Sequence, residues 1–335
     1  MVALIDGYDV ALFDLDGVIY LGPHVIEGAA EGVAALHALN KRVGFVTNNA
    51  ARNAQTVADH LTRLGIPATV EEVLTSAQAG ARMLAQNLEA GSKVLVVGTS
   101  ALADEVRAVG MTVVASAQDA PAAVIQGYDP DLDWSSVNEA CYAIQAGARY
   151  FATNLDRNRP TDLGLVPGAG AQIDAIRSSV SAVPMTAGKP DRPLLDEAVR
   201  RWSAKRPIFV GDRIDTDIIG ANNAEMDSLM VFTGAHGRLD LIEAGPEGRP
   251  TFIGADMRAL LVEPRVAKES GNRVTCGAAE ATIVGSEIRL DQSAGDLEDQ
   301  LDGLWAVAKL AWAHPGLDYT QALDELDLVP VGQGQ

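Results

Sequence analysis

The stretch Val10-Ala11-Leu12-Phe13-Asp14-Leu15-Asp16-Gly17-Val18 decides the fold. Four consecutive apolar residues without alternation read as a strand buried on both faces, as in a parallel sheet. Two acids and a glycine follow at once, so this strand ends in a polar turn. The pattern recurs in Phe45-Val46-Thr47-Asn48-Asn49 and in Phe209-Val210-Gly211-Asp212-Arg213-Ile214-Asp215-Thr216-Asp217. In open parallel sheets the ligand crevice lies at the carboxyl ends of the strands. Lys189, ahead of Pro190 on the approach to a helix, is expected at the same crevice.

Outward from Asp14, short apolar runs alternate with alanine-rich amphipathic stretches, which predicts an α/β fold with a parallel sheet. Strands are expected at Val10–Phe13, Val43–Val46, Ile208–Val210 and Ser228–Phe232. Helices are expected at Glu27–Asn40, Ala54–Leu64, Arg192–Trp202 and Asp215–Ala224. A second α/β unit with its own strands starts near Val94 and ends in the Pro- and Gly-rich segment Asn154–Gly170. The Gly168-Ala169-Gly170-Ala171 run lacks the GK[ST] ending of a phosphate loop and reads as a helix-entry turn. The division that follows is a core of residues 1–76 and 187–255, an insertion of 77–186, and a tail of 256–335 with short strands and one amphipathic helix, Gly295–Ala313. In that helix Trp305 and Trp312 are seven apart and share a face, which suits core packing or a subunit contact.

The chain has 335 residues, 47% of them hydrophobic, enough for well-buried cores in more than one domain. A formal net charge of −19 argues against nucleic-acid and anionic-membrane partners, which an acidic surface repels. A small anionic substrate remains compatible if cations gather in one pocket. Cys141 and Cys276 stand far apart with no metal-type spacing and read as free thiols of a reducing compartment. Asp6 and Asp9 interrupt the N-terminus too early for a secretory segment, so a cytoplasmic protein is expected.

Several carboxylates at one sheet edge repel one another unless a hard cation sits among them. Mg2+ suits such a set, since it takes a few carboxylate oxygens together with water and substrate phosphate. Asp14 and Asp212 are the expected direct ligands, with Asp16 contributing its backbone carbonyl and Asp217 ordering the metal from behind. Asp14 is also the candidate nucleophile, and Asp16 the acid and base that serves the leaving group and then water. Thr47 and the Asn48 amide are candidate phosphate-binding groups, and Lys189 a cation that offsets phosphoryl charge. The five histidines show no metal spacing and call for no catalytic role.

Taken together, these residues resemble the haloacid dehalogenase superfamily of phosphotransferases. Asp14-Leu15-Asp16-Gly17-Val18 matches its first motif, Thr47 its second, Lys189 its third, and Gly211 to Asp217 its fourth. The resemblance implies a Rossmann-like core, Mg2+ and an aspartyl-phosphate, and an acid at Asp16 implies phosphate rather than halide chemistry. The insertion is similar to the C2-type cap of the nitrophenylphosphatase and phosphoglycolate phosphatase subfamily. Its segment Ala152-Thr153-Asn154-Leu155-Asp156 implies that Asn154, Asp156 and Arg157 contact substrate. The tail is similar to part of a GNAT acetyltransferase, a layout of mycobacterial-type glycerol 3-phosphate phosphatases, which implies glycerol 3-phosphate as substrate. Phosphoglycolate, pyridoxal phosphate, nucleotides and sugar phosphates are the alternatives. Gln292-Ser293-Ala294-Gly295 is only a partial echo of an acyl-CoA loop, so acetyl transfer is not expected. A metabolite or acyl-CoA sensor and a tail-built homodimer are the competing readings of the extension.

Overall fold

The computed structural model describes residues 2–161, 163–291 and 295–332, which leaves residues 292–294 of the partial acyl-CoA echo outside the described residues. The chain forms two compact units, one of residues 1–20, 25–42 and 205–335, the other of residues 21–24 and 43–204.

In the first unit four parallel strands run in the order Phe252–Gly254, Asp227–Val231, Pro207–Gly211 and Val10–Phe13. All four residues of Val10–Phe13 are fully buried, as the unbroken apolar run requires. Phe13 lies opposite Val210, so the carboxyl ends of these two strands emerge side by side. After Gly211 the chain enters a π-helical turn, Ile214–Ile218, and then a short α-helix, Ile219–Asn223. The sequence suggested one regular helix here. The wider turn occurs where the Asp217 carboxylate bends back to accept from the backbone N–H groups of Asp212 (3.2 Å) and Arg213 (3.1 Å).

The tail belongs to this unit. It forms a four-stranded antiparallel meander, Lys268–Ser270, Arg273–Cys276, Ala279–Val284 and Glu287–Asp291, followed by the helix Leu297–Ala313. Leu301, Leu304, Trp305 and Val307 share one apolar cluster with Ile214, Ile218, Met230 and Ile253. Trp305 and Trp312 meet edge to face at 5.6 Å, and the Trp312 indole N–H donates to the carbonyls of Leu241 and Ile242. The pair is thus core packing.

The second unit opens with the parallel pair Arg42–Thr47 and Val73–Thr75, in which Thr47 faces Thr75. Helix Ala54–Arg63 lies between them in sequence, capped by the Asn53 side chain on Thr56 N–H. A five-stranded parallel sheet follows, in the order Met185–Thr186, Arg149–Ala152, Ala123–Gln126, Lys93–Val97 and Thr112–Val114. The Pro- and Gly-rich segment contains a hairpin, Asn158–Thr161 with Gly164–Pro167, and Gly168 then caps helix Ala169–Arg177. That is the helix entry the glycine run predicted. Cys141 and Cys276 are both free and buried. Among the described residues no helix is long and apolar enough to cross a membrane.

Candidate active site

The register of the first unit brings the acids together. Asp14 follows Phe13, and its backbone N–H donates to Val210 O at 2.9 Å. Asp212 follows Gly211 on the neighbouring strand, and the π-helical turn returns Asp217 beside it. Asp14, Asp212 and Asp217 are all buried, and each offers one carboxylate oxygen within 4.8 Å of the others. Three buried carboxylates this close are stable only with a cation or shared protons between them. An all-oxygen donor set of this kind fits a hard divalent ion such as Mg2+.

Asp16 is half-buried and its carboxylate stands outside this triad; its backbone pairs in a bridge with Tyr20. Gly17 is held in a left-handed conformation (φ +91°), and a Cβ there would come within 2.4 Å of Asp212 Oδ2. Only glycine allows the first motif to approach the Asp212 carboxylate this closely.

The loop after strand Asp227–Val231 supports this cluster, and sequence reasoning gave it no part. Ala235 N–H donates to Asp212 Oδ2 at 2.7 Å, and the Thr233 hydroxyl donates to Gly17 O at 2.6 Å. His236, buried, accepts from Ile214 N–H through Nδ1 at 2.8 Å, and its backbone N–H donates to Asp212 O at 3.3 Å. The position just past a strand's carboxyl end was the available signal. Asp215 is committed to Arg213, whose Nη2 donates at 2.6 Å and whose Nε donates at 3.0 Å. Burial pushes the Asp215 carboxyl up, but the Arg213 hydrogen bonds and charge outweigh it and hold its pKa below the usual range.

In the second unit, Thr47 ends its strand and its Oγ1 accepts from Asn49 N–H at 3.0 Å. Asn48 is buried, and its side-chain amide engages the backbone of Lys189 in both directions: Lys189 N–H donates to Oδ1 at 2.8 Å, and Nδ2 donates to Lys189 O at 2.9 Å. Lys189 is 2% exposed, and its Nζ donates to Val46 O at 3.5 Å. Gly188 brings the backbone close here: a Cβ would meet Asn48 Oδ1 and Thr153 O, each at 2.6 Å. Asn48, Lys189, Asn154 and Asp156 therefore form one cluster. Asn154 is buried and donates to Asp156 Oδ2 at 3.0 Å. Arg157 stands apart from it, with an 85% exposed side chain paired to Asp174 at 3.6 Å.

Residues 11–112 match the profile of haloacid dehalogenase-like hydrolases, and residues 186–260 match a HAD-hydrolase-like profile. The D-glycerol 3-phosphate phosphatase of Mycobacterium tuberculosis is 42% identical over 327 residues, covering 96% of this chain and 90% of its own.

The chain belongs to the haloacid dehalogenase-like hydrolase family.

Within the family this hydrolase is a phosphatase, a phosphoric monoester hydrolase. The crystal structure of the glycerol phosphate phosphatase of M. tuberculosis in complex with magnesium superposes with a TM-score of 0.87 at 39% identity, covering 98% of both chains. The 4-nitrophenylphosphatase of Thermotoga maritima superposes with a TM-score of 0.71 at 30% identity, covering 77% of this hydrolase and 97% of that chain. The α/β core with its parallel sheet is therefore that of the family.

Proposed function

We propose that this hydrolase removes phosphate from glycerol 3-phosphate in a Mg2+-dependent reaction through an aspartyl-phosphate on Asp14. The observation that carries the chemistry is the buried triad of Asp14, Asp212 and Asp217. The substrate rests on the mycobacterial relative, whose likeness extends over 96% of the chain and so includes the tail.

Mg2+ would be held by Asp14, Asp212 and the Asp16 carbonyl, with Asp217 behind them, and supplies charge neutralisation at the phosphoryl oxygens. A carboxylate oxygen of Asp14 attacks phosphorus as the bond to the glycerol oxygen breaks. Asp16 gives its proton to that leaving oxygen, then takes one from the water that attacks phosphorus and frees Asp14. Thr47 and the Asn48 backbone amide bind phosphoryl oxygens, and Lys189 offsets their charge. Asp212 and Asp217 stay in place because loop 233–236 and the π-helical turn hold their carboxylates.

Residues 77–186 act as the cap in this reading, residues 1–76 and 187–255 as the catalytic core, and 256–335 as an extension. Arg157, exposed and ion-paired with Asp174, is the cap side chain assigned here to the glycerol end. A cytoplasmic setting and a homodimer complete the proposal, and sizing chromatography checks the latter. The deciding experiment measures phosphate release from glycerol 3-phosphate, phosphoglycolate, pyridoxal phosphate, sugar phosphates and mononucleotides, with and without Mg2+. A preference for glycerol 3-phosphate that EDTA abolishes is expected; a flat profile overturns the substrate assignment. Asp14→Asn should lower kcat at least about a thousandfold with an unchanged circular dichroism spectrum.

A further inference from the structure

Asp156 was expected to meet substrate, yet its carboxylate is already engaged. Both oxygens accept from Asn48 Nδ2, each at 3.2 Å, and Oδ2 also accepts from Asn154 Nδ2 at 3.0 Å. Its own backbone is fixed, since Asp156 O accepts from Gly170 N–H at 2.8 Å. The consequence falls on Asn48. A side-chain amide carries two N–H donors on one side and an acceptor on the other, and nothing intrinsic decides which way it faces. The Lys189 N–H and carbonyl already favour one orientation, and Asp156, whose carboxylate only accepts, reinforces it by taking the second N–H of Nδ2. One N–H then meets Asp156 and the other Lys189 O, which leaves Oδ1 for Lys189 N–H. Turned over, Asn48 would set its oxygen against the carboxylate and its N–H2 against Lys189 N–H, both repulsive.

We propose that Asp156 is a positioning residue for phosphoryl transfer: it braces the Asn48 amide in the orientation that holds the Lys189 backbone, and it does not read the substrate. This rests on the proposed role of Lys189 at the phosphoryl group. Displacing a charge-stabilising group by about 1 Å is worth up to a hundredfold in rate, so the effect belongs in kcat.

The test compares Asp156→Ala, Asp156→Asn, Asn48→Ala and the double Ala variant on glycerol 3-phosphate and on an aryl phosphate. Asp156→Ala should lower kcat at least about tenfold on both esters, with KM and the ratio of kcat/KM between them moving less than about threefold. Asp156→Asn retains an oxygen that can accept from both amides and should recover most of the loss. The double variant should be no worse than the poorer single one, because both act through one contact. A change confined to glycerol 3-phosphate, or an unchanged kcat on both esters, overturns the proposal. Hydrogen exchange of the Lys189 backbone amide gives a readout independent of substrate. It should be faster in Asp156→Ala than in wild type and Asp156→Asn, and equal rates overturn the proposal. If wild type cleaves neither ester, the functional reading falls, while the exchange comparison still decides whether Asp156 holds Lys189.

Discussion

The side-chain amide of Asn48 closes a ring with the main chain of Lys189, 141 residues later, through hydrogen bonds of 2.8 and 2.9 Å. Both backbone groups are buried and neither can turn to water. Asn48→Ala removes both partners at once, and a buried polar group left unsatisfied costs about 1–3 kcal/mol. The variant should lose about 2–4 kcal/mol of stability, read as a lower urea midpoint.

Gly17 supplies the close approach at the acidic triad. Gly17→Ala must strain a left-handed backbone and place a methyl group within van der Waals overlap of Asp212 Oδ2. The carboxylate is the softer part and should shift. Mg2+ affinity, measured by calorimetry, should fall about 10–100-fold, the usual range for disturbing the support of a metal ligand. Thermal stability without metal should fall much less.

Asp9 sets an acid limit. Its carboxylate accepts from Lys205 N–H, Arg206 N–H and Arg42 Nη2, fastening the start of strand Val10–Phe13 to the entry of strand Pro207–Gly211. Burial works to raise its pKa, but the two backbone hydrogen bonds and the Arg42 charge prevail and lower it. A folded pKa below the unfolded value of about 3.9 means that the unfolded chain binds the proton more readily. The stabilisation is therefore complete above about pH 4 and disappears as pH falls through the lowered folded value. Wild type should exceed Asp9→Asn by about 1 kcal/mol at neutral pH, and the two should converge in acid, as followed by chemical unfolding across pH.

Leu304, fully buried, joins the tail helix to the apolar cluster that includes Met230 and Ile253. Leu304→Ala should cost about 2–5 kcal/mol as a cavity. Deleting residues 256–335 exposes the other side of the same cluster. That variant should express as aggregate or bind a hydrophobic dye, whereas a folded, monodisperse truncation would show that the strands close their core alone.

The strands that carry the acidic triad were legible because their chemistry and their periodicity coincide. Val10–Phe13 is uniformly apolar and ends in acids, so pattern and motif point to one element. Helix ends differ by a residue or two, as at Glu27–Asn40 against the observed Ala29–Ala38, where Gly28 in a left-handed conformation (φ 80°) precedes the first helical residue. Met185–Thr186 and Lys268–Ser270 are too short to carry a period, and the Asn158–Thr161 hairpin strand is polar and contains a proline. Asp14, Asp212 and Asp217 could be chosen from sequence because parallel register makes their neighbourhood predictable. The part played by His236 and the engagement of Asp156 could not, because each depends on a partner far away in sequence whose orientation only the folded chain reveals.

Ile214 and Ile218 flank Asp217 in the π-helical turn and also line the cluster that the tail completes. A side chain exchanged at Leu301, Leu304, Trp305 or Val307 therefore disturbs the cluster that also seats the turn carrying Asp217. The packing of that helix thus reaches, through two isoleucines, a carboxylate that the helix never touches.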